Sequence, residues 1–239
     1  MNWSGIFRKI QPYVVSVETP KGSGTGFLFP YNRDKTVSGI VTAAHVVDYA
    51  DEWKQPIKLV HCMTKKELFV TDDERVIFLD HQKDSASIML FGKSDIGFPE
   101  DTLPLIDLKK NLRIGVEVGW MGFPSIARDN LCFFTGRISA RLPDYYSYLI
   151  DGVAINGVSG GPVAYLPTRS KVPKIIGTVT GYMPNRVYGD TLPGLLRVQD
   201  VTAFHDIIKF LKSRDEAKKK RDEQAKREER QPSRTSSND

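Results

Sequence analysis

The chain has 239 residues, of which 40% are hydrophobic and 26% charged, with a formal net charge of +5. That length buries a full core in one large all-β domain or two small domains, and the ordinary apolar fraction excludes a fibrous or wholly disordered chain. No run of about 18 apolar residues occurs, so no transmembrane helix is expected, and much of the excess charge sits between Lys212 and Arg230, leaving a near-neutral body that does not suggest nucleic-acid binding.

Residues 1–11 form a short amphipathic helix or arm, with Trp3, Ile6, Phe7 and Ile10 at helical spacing. Phe7, Arg8 and Lys9 stand too close together for a signal-peptide core, so a cytoplasmic chain is expected. From Tyr13 the pattern becomes short, β-branched and apolar: 13–17, 26–29, 39–42, 57–60, 67–70, 75–79 and 86–90, most of them separated by Gly, Pro, Asp or Asn. A segment richer in Gly, Pro, Asp and Lys follows at 92–110. A second strand set covers 116–120, 132–138, 146–150, 162–165 and 174–180. Many short strands at close spacing predict a sandwich or barrel. Near Asp200 the period changes to helical: Asp200 or Thr202 can cap, and Val201, Phe204, Ile207, Ile208 and Leu211 form one apolar stripe. The expected layout is an arm at 1–11, a first β-barrel at 12–95, a linker at 96–110, a second barrel at 111–199, a C-terminal helix with a charged extension at 200–230, and a disordered tail at 231–239. The two cysteines, Cys62 and Cys132, are expected as buried free thiols. No C-x-x-C occurs and the histidines are scattered, so neither a metal nor another cofactor is expected.

Three segments carry chemistry together. In Thr42-Ala43-Ala44-His45-Val46 a histidine follows two small residues at the end of an apolar strand, a place for a general base that titrates near neutrality. In Asp80-His81-Gln82-Lys83-Asp84-Ser85 an aspartate precedes an apolar strand and can orient an imidazole, although such an aspartate is usually a turn residue. In Asn156-Gly157-Val158-Ser159-Gly160-Gly161-Pro162 glycines surround one serine, letting backbone amides converge on a developing oxyanion.

In the order His, Asp, Ser these segments resemble the trypsin-like serine proteases of chymotrypsin fold, and are most similar to Deg/HtrA-type protease domains. Gly22-Ser23-Gly24-Thr25-Gly26-Phe27 and Ile150-Asp151-Gly152-Val153-Ala154-Ile155 extend the likeness, which spans roughly residues 10–210. The resemblance implies an all-β fold of two six-stranded antiparallel Greek-key barrels. It implies His45 as general base, Asp84 as its carboxylate with Asp80 as rival, and Ser159 as nucleophile. Gly157 and Ser159 would supply the oxyanion-hole amides. Val153, Ala154 and Ile155 would wall the primary pocket, and the edge Thr178-Val179-Thr180 would pair with substrate backbone. The implied activity is endopeptidase cleavage of a protein or peptide substrate after small or medium apolar residues.

Departures from the family matter too. Val158 stands where the digestive enzymes have an aspartate that pairs with a new N-terminus, so activation by N-terminal cleavage is not expected. Restraint would instead come from an unformed Ser159 loop ordered by a regulatory partner or a homo-oligomer. Ser85 replaces the usual apolar residue after the triad aspartate, and the PDZ domain that Deg-type proteases often carry is not expected after the helix. Alternative readings are a catalytically inactive scaffold that binds peptides, a hydrolase of small esters, and a viral processing protease.

Overall fold

The computed structural model describes residues 2–92, 96–108, 110–168, 170, 172–187 and 190–229. The expected disordered tail at 231–239 lies outside the described residues. Helix α1 (Trp3–Ile10) is capped by Asn2, whose side chain accepts from the Gly5 amide. Its inner face buries Ile6 and Ile10, and Trp3 Nε1 donates to Glu117 Oε1 at 2.7 Å, tying the arm to the second half of the chain.

The first half is a seven-stranded antiparallel sheet: β1 (Val14–Thr19), β2 (Gly22–Tyr31), β3 (Val37–Thr42), β4 (Ile57–His61), β5 (Glu67–Val70), β6 (Arg75–Asp80) and β7 (Ser85–Phe91). The spatial order is β5-β4-β1-β2-β3-β7-β6. The expected six-stranded barrel is thus a seven-stranded sheet open between β5 and β6. Those edges are joined by a tight turn at Asp72–Glu74, and the guanidinium of Arg75 donates to the Val70 carbonyl where ladder bonds would close a barrel. Helix α2 (Ala44–Glu52), not foreseen in the sequence, leaves β3 directly and buries Ala44, Val46, Val47 and Ala50.

The second half is a closed six-stranded barrel. It comprises β8 (Glu117–Gly122), β9 (Cys132–Leu142), β10 (Ser147–Asp151), β11 (Pro162–Tyr165), β12 (Lys174–Val187) and β13 (Asp190–Asp200), in the order β10-β13-β12-β11-β8-β9. Strand β13 went unpredicted because Pro193 and Gly194 interrupt its alternation, but Leu196 and Val198 point into the core and seal the barrel. Two main cores result: one in the barrel around Trp120, Tyr148 and Ile176, the other in the open sheet around Leu28, Ile40 and Leu59.

After a short turn capped by Asp200, helix α3 (His205–Glu229) lays Ile207 and Leu211 against Val37 and Met89 of the first sheet. Each such burial stabilises by about 2 kcal/mol. Phe210 packs on Phe78, and Lys218 pairs with Asp34 at 2.6 Å. Beyond that pair the described side chains through Lys226 are exposed. Among the described residues no helix is long and apolar enough to cross a membrane.

Candidate active site

His45 is the second residue of α2. The sharp exit from β3 into a helix, permitted by the small buried Ala43 and Ala44, aims its ring back over the strand ends. Asp84 closes the β6–β7 turn with φ +48°, a left-handed conformation that Asp tolerates better than most residues. Asp80 holds that turn: its carboxylate accepts from the Lys83 amide at 3.0 Å and pairs with the Lys83 ammonium. The rival carboxylate is therefore the turn residue, and Asp84 is the one that meets histidine. Its Oδ2 lies 2.8 Å from His45 Nδ1, and its Oδ1 accepts from the His45 backbone amide at 3.0 Å. This double contact fixes the tautomer that leaves Nε2 free. The hydrogen bond to Asp84 raises the imidazole pKa above its ordinary value, against the opposing effect of burial. The His45 side chain keeps 49% of its surface exposed and that of Asp84 28%, so the pair is open to solvent.

The far end of α2 is held from the same strand that leads to Asp84. Arg75 is only 5% exposed, and its guanidinium donates to Ala50 O at 3.0 Å, Gln55 O at 2.7 Å and Val70 O at 2.8 Å. Helix α2 is thus pinned at both ends, by Arg75 and by the Asp84 turn.

Two consecutive β-turns, 155–158 and 158–161, carry the chain through Ser159, which is the second residue of the latter. Val158 N donates to Ile155 O, and Gly161 N donates to Val158 O. The third position of each turn is a glycine with positive φ, Gly157 at +89° and Gly160 at +88°, as a type II turn demands. The glycine spacing in the sequence is the spacing of these turns. Ser125 N donates to Asn156 O at 2.7 Å. In a trans peptide the following N–H points the opposite way, so the Gly157 amide faces away from Ser125. Neither the Gly157 nor the Ser159 amide donates to any group among the described residues. Val158 is buried at 1% exposure in the barrel core. The expected unformed loop is not the state of this structure, because both turns and their outer hydrogen bonds are made.

His45, Gly157 and Ser159 line one cleft of about 290 Å³, together with Lys21, Ser23 and Tyr49 among others. The Ser159 hydroxyl makes no hydrogen bond to His45. The expected pocket residues are less uniform. Val153 is 53% exposed, while Ala154 and Ile155 pack against the barrel core. Thr178 pairs with Pro162 on one side and Gln199 on the other; Val179 N donates to Gly161 O, and Val179 O accepts from Gly160 N. Both backbones are committed on both sides, which corrects the expectation that they offer an edge to substrate. Strand β11 stops pairing at Thr178 and the Gly160–Gly161 backbone holds Val179, so of the three only Thr180 has no backbone partner on that side.

Sequence reasoning missed Thr25, whose buried hydroxyl donates to Gly157 O at 2.8 Å and accepts from Phe123 N at 3.0 Å. It also missed Tyr49, four residues after His45 on α2; only recognition of that helix would have shown the two on one face. Both cysteines are free; Cys62 is buried, its thiol donates to Gln11 O, and burial pushes its pKa up to about 11. No metal-binding cluster of His, Cys, Asp and Glu occurs among the described residues.

No family model and no curated protein matches the sequence. Solved structures do match. The inactive form of Mycobacterium tuberculosis Rv3671c carrying a serine-to-alanine substitution is 20% identical, with TM-score 0.56, covering 81% of this chain and 84% of that one. Deg5 is also 20% identical, with TM-score 0.56, covering 80% of this chain and 87% of its own. The Rv3671c protease in its inactive form matches at 20% identity and TM-score 0.55, over 82% and 86% of the two chains. At that identity the likenesses establish the fold, which is of the chymotrypsin-like double-barrel type with its first barrel left open.

Proposed function

We propose that the chain is a serine endopeptidase acting through His45, Asp84 and Ser159. The observation that carries this reading is the convergence on one cleft of an Asp84-bound imidazole and a serine flanked by two uncommitted amides. Ser159 Oγ attacks the scissile carbonyl while His45 Nε2 takes its proton, and Asp84 offsets the imidazolium charge. The amides of Gly157 and Ser159 bind the oxyanion. The tetrahedral intermediate collapses by breaking the C–N bond, and His45 returns the proton to the leaving amine. Water then repeats the sequence on the acyl-enzyme. Every group needed is a side chain or amide of this chain, and no cofactor enters.

Val153, Ala154 and Ile155 carry no charge, which supports cleavage after small or medium apolar residues; a peptide library cut only after Lys or Arg would sink that part. The open His45–Asp84 pair supports control by a protein partner or a second copy that covers it. A cytoplasmic location belongs to the same reading. One observation favours a catalytically silent peptide-binding scaffold: the Ser159 hydroxyl is not bonded to His45. Such bonds are often long before substrate arrives, which keeps this reading second. The deciding test is labelling with a fluorophosphonate probe. Labelling of the native chain that disappears in Ser159→Ala supports the protease; a folded native chain that takes up no probe supports the scaffold.

A further inference from the structure

One wall of the Ser159 cleft has no role in the chemistry assigned to the triad. The residues expected on the acyl side, 153–155 and 178–180, contribute nothing to the 290 Å³ cleft. They approach Ser159 from the second barrel, where the Val179 backbone is tied to Gly160 and Gly161. The cleft runs the other way, from Ser159 and His45 to the β1–β2 turn and the outer face of α2. A peptide whose acyl half follows the second barrel sends its departing half into this cleft.

Among the described residues lining that cleft, Lys21 is the one lysine or arginine. It has no ion-pair partner among the described residues. Its ammonium lies 4.9 Å from the centroid of the Tyr49 ring, a cation–π contact that holds it over the cleft at low entropic cost. Asp48 accepts from the Tyr49 amide at 2.6 Å, and Glu18 approaches Lys58 at 3.7 Å; neither pairs with Lys21. Tyr49 stands one helical turn from His45, about 6 Å between Cβ atoms. An extended peptide advances about 3.4 Å per residue. The Lys21 ammonium therefore meets the first or second side chain beyond the scissile bond. A second groove of about 460 Å³ shares Lys21 and continues past Phe123 to Arg128 and Asp129, giving the departing fragment a path onward.

We infer, on the basis of the protease reading, that the site selects peptides carrying Asp or Glu among the first two residues after the cleaved bond, with Lys21 as the residue that sets this preference. A solvent-facing charge pair gives a modest gain, and a like charge costs a similar amount. Acidic residues are therefore expected about threefold over Gln and about tenfold over Lys at those positions. High salt shrinks both ratios.

The test is digestion of a mixed-sequence peptide library by the full chain, with the new N-termini read by mass spectrometry. The native chain, Lys21→Glu and Ser159→Ala are compared, and thermal unfolding checks that each is folded. Enrichment of Asp and Glu by the native chain, replaced by enrichment of Lys and Arg in Lys21→Glu, supports the inference. Ser159-dependent cleavage with no charge preference, or with one that survives Lys21→Glu, overturns it and leaves the protease reading standing. Absence of any cleavage that depends on Ser159 overturns both.

Discussion

Gly160 and Gly92 share nearly the same φ, +88° and +93°, but not the same surroundings. A Cβ built on Gly92 meets nothing within 4 Å among the described residues. One built on Gly160 lies 1.9 Å from Thr25 O and 2.3 Å from Thr42 Oγ1. Alanine at either position bears the left-handed strain, about 1–2 kcal/mol. At Gly160 it must also displace Thr25, whose carbonyl accepts from Thr42 Oγ1 at 2.7 Å and whose amide donates to Ser159 O at 2.8 Å. Losing those two bonds adds about 1 kcal/mol each, before any cost of moving β2. Gly92→Ala should therefore lower Tm by about 4 °C and Gly160→Ala by about 10 °C or more, at roughly 2–4 °C per kcal/mol for a domain of this size. Differential scanning calorimetry measures both. Fluorophosphonate labelling of Ser159 should survive in Gly92→Ala and be lost in Gly160→Ala. Equal melting of the two variants, with labelling intact in both, would refute the claim that this close approach shapes the nucleophile loop.

Further outcomes are expected at His45, Asp84 and Arg75. Because the folded His45 pKa is raised, the neutral base forms only as pH rises through that value, and kcat/KM should climb from the acid side with a midpoint above that of free histidine. Asp84→Asn should lower that midpoint and cut the rate by about 10⁴, the loss typical of an orienting carboxylate. The stabilising effect of the raised pKa is full below the unfolded imidazole's pKa and fades as pH rises through the folded one. The Tm gap between parent and Asp84→Asn should narrow accordingly. Arg75→Met should cost about 3 kcal/mol in urea unfolding, because three carbonyls lose a buried charged donor. It should also slow probe labelling, since α2 loses the anchor at its far end; parental stability would remove Arg75 from this role.

The His45, Asp84 and Ser159 segments were legible because each needs a local backbone device that leaves a mark. These are two small residues before His45, a turn before Asp84, and glycines three apart around Ser159. The strand pattern of the first half was legible for the same reason, since alternating burial writes itself into the residues. What stayed hidden depends on pairings far apart in the chain. Nothing near Arg75 says that its guanidinium will reach Ala50 and Gln55, so the open edge between β5 and β6 could not be read. Thr178 and Val179 look like any exposed strand until β11, β13 and the Gly160 turn occupy both of their sides. Helix α2 is short and rich in Val, Asp and Tyr, a composition whose helical preference is weak without the sheet beneath it.

Thr25 gives the molecule an unusual economy of attachment. It sits in the first sheet, yet its hydroxyl and amide together contact Phe123, Gly157 and Ser159 of the second half. Part of the seam between the halves is therefore also the scaffold of the nucleophile. A disturbance that pries the halves apart at Thr25 therefore reaches the Ser159 loop as well. Cohesion and the alignment of Ser159 should fail as one event, so that any surviving folded fraction carries its full complement of reactive serine and a half-open, half-working species is never stored.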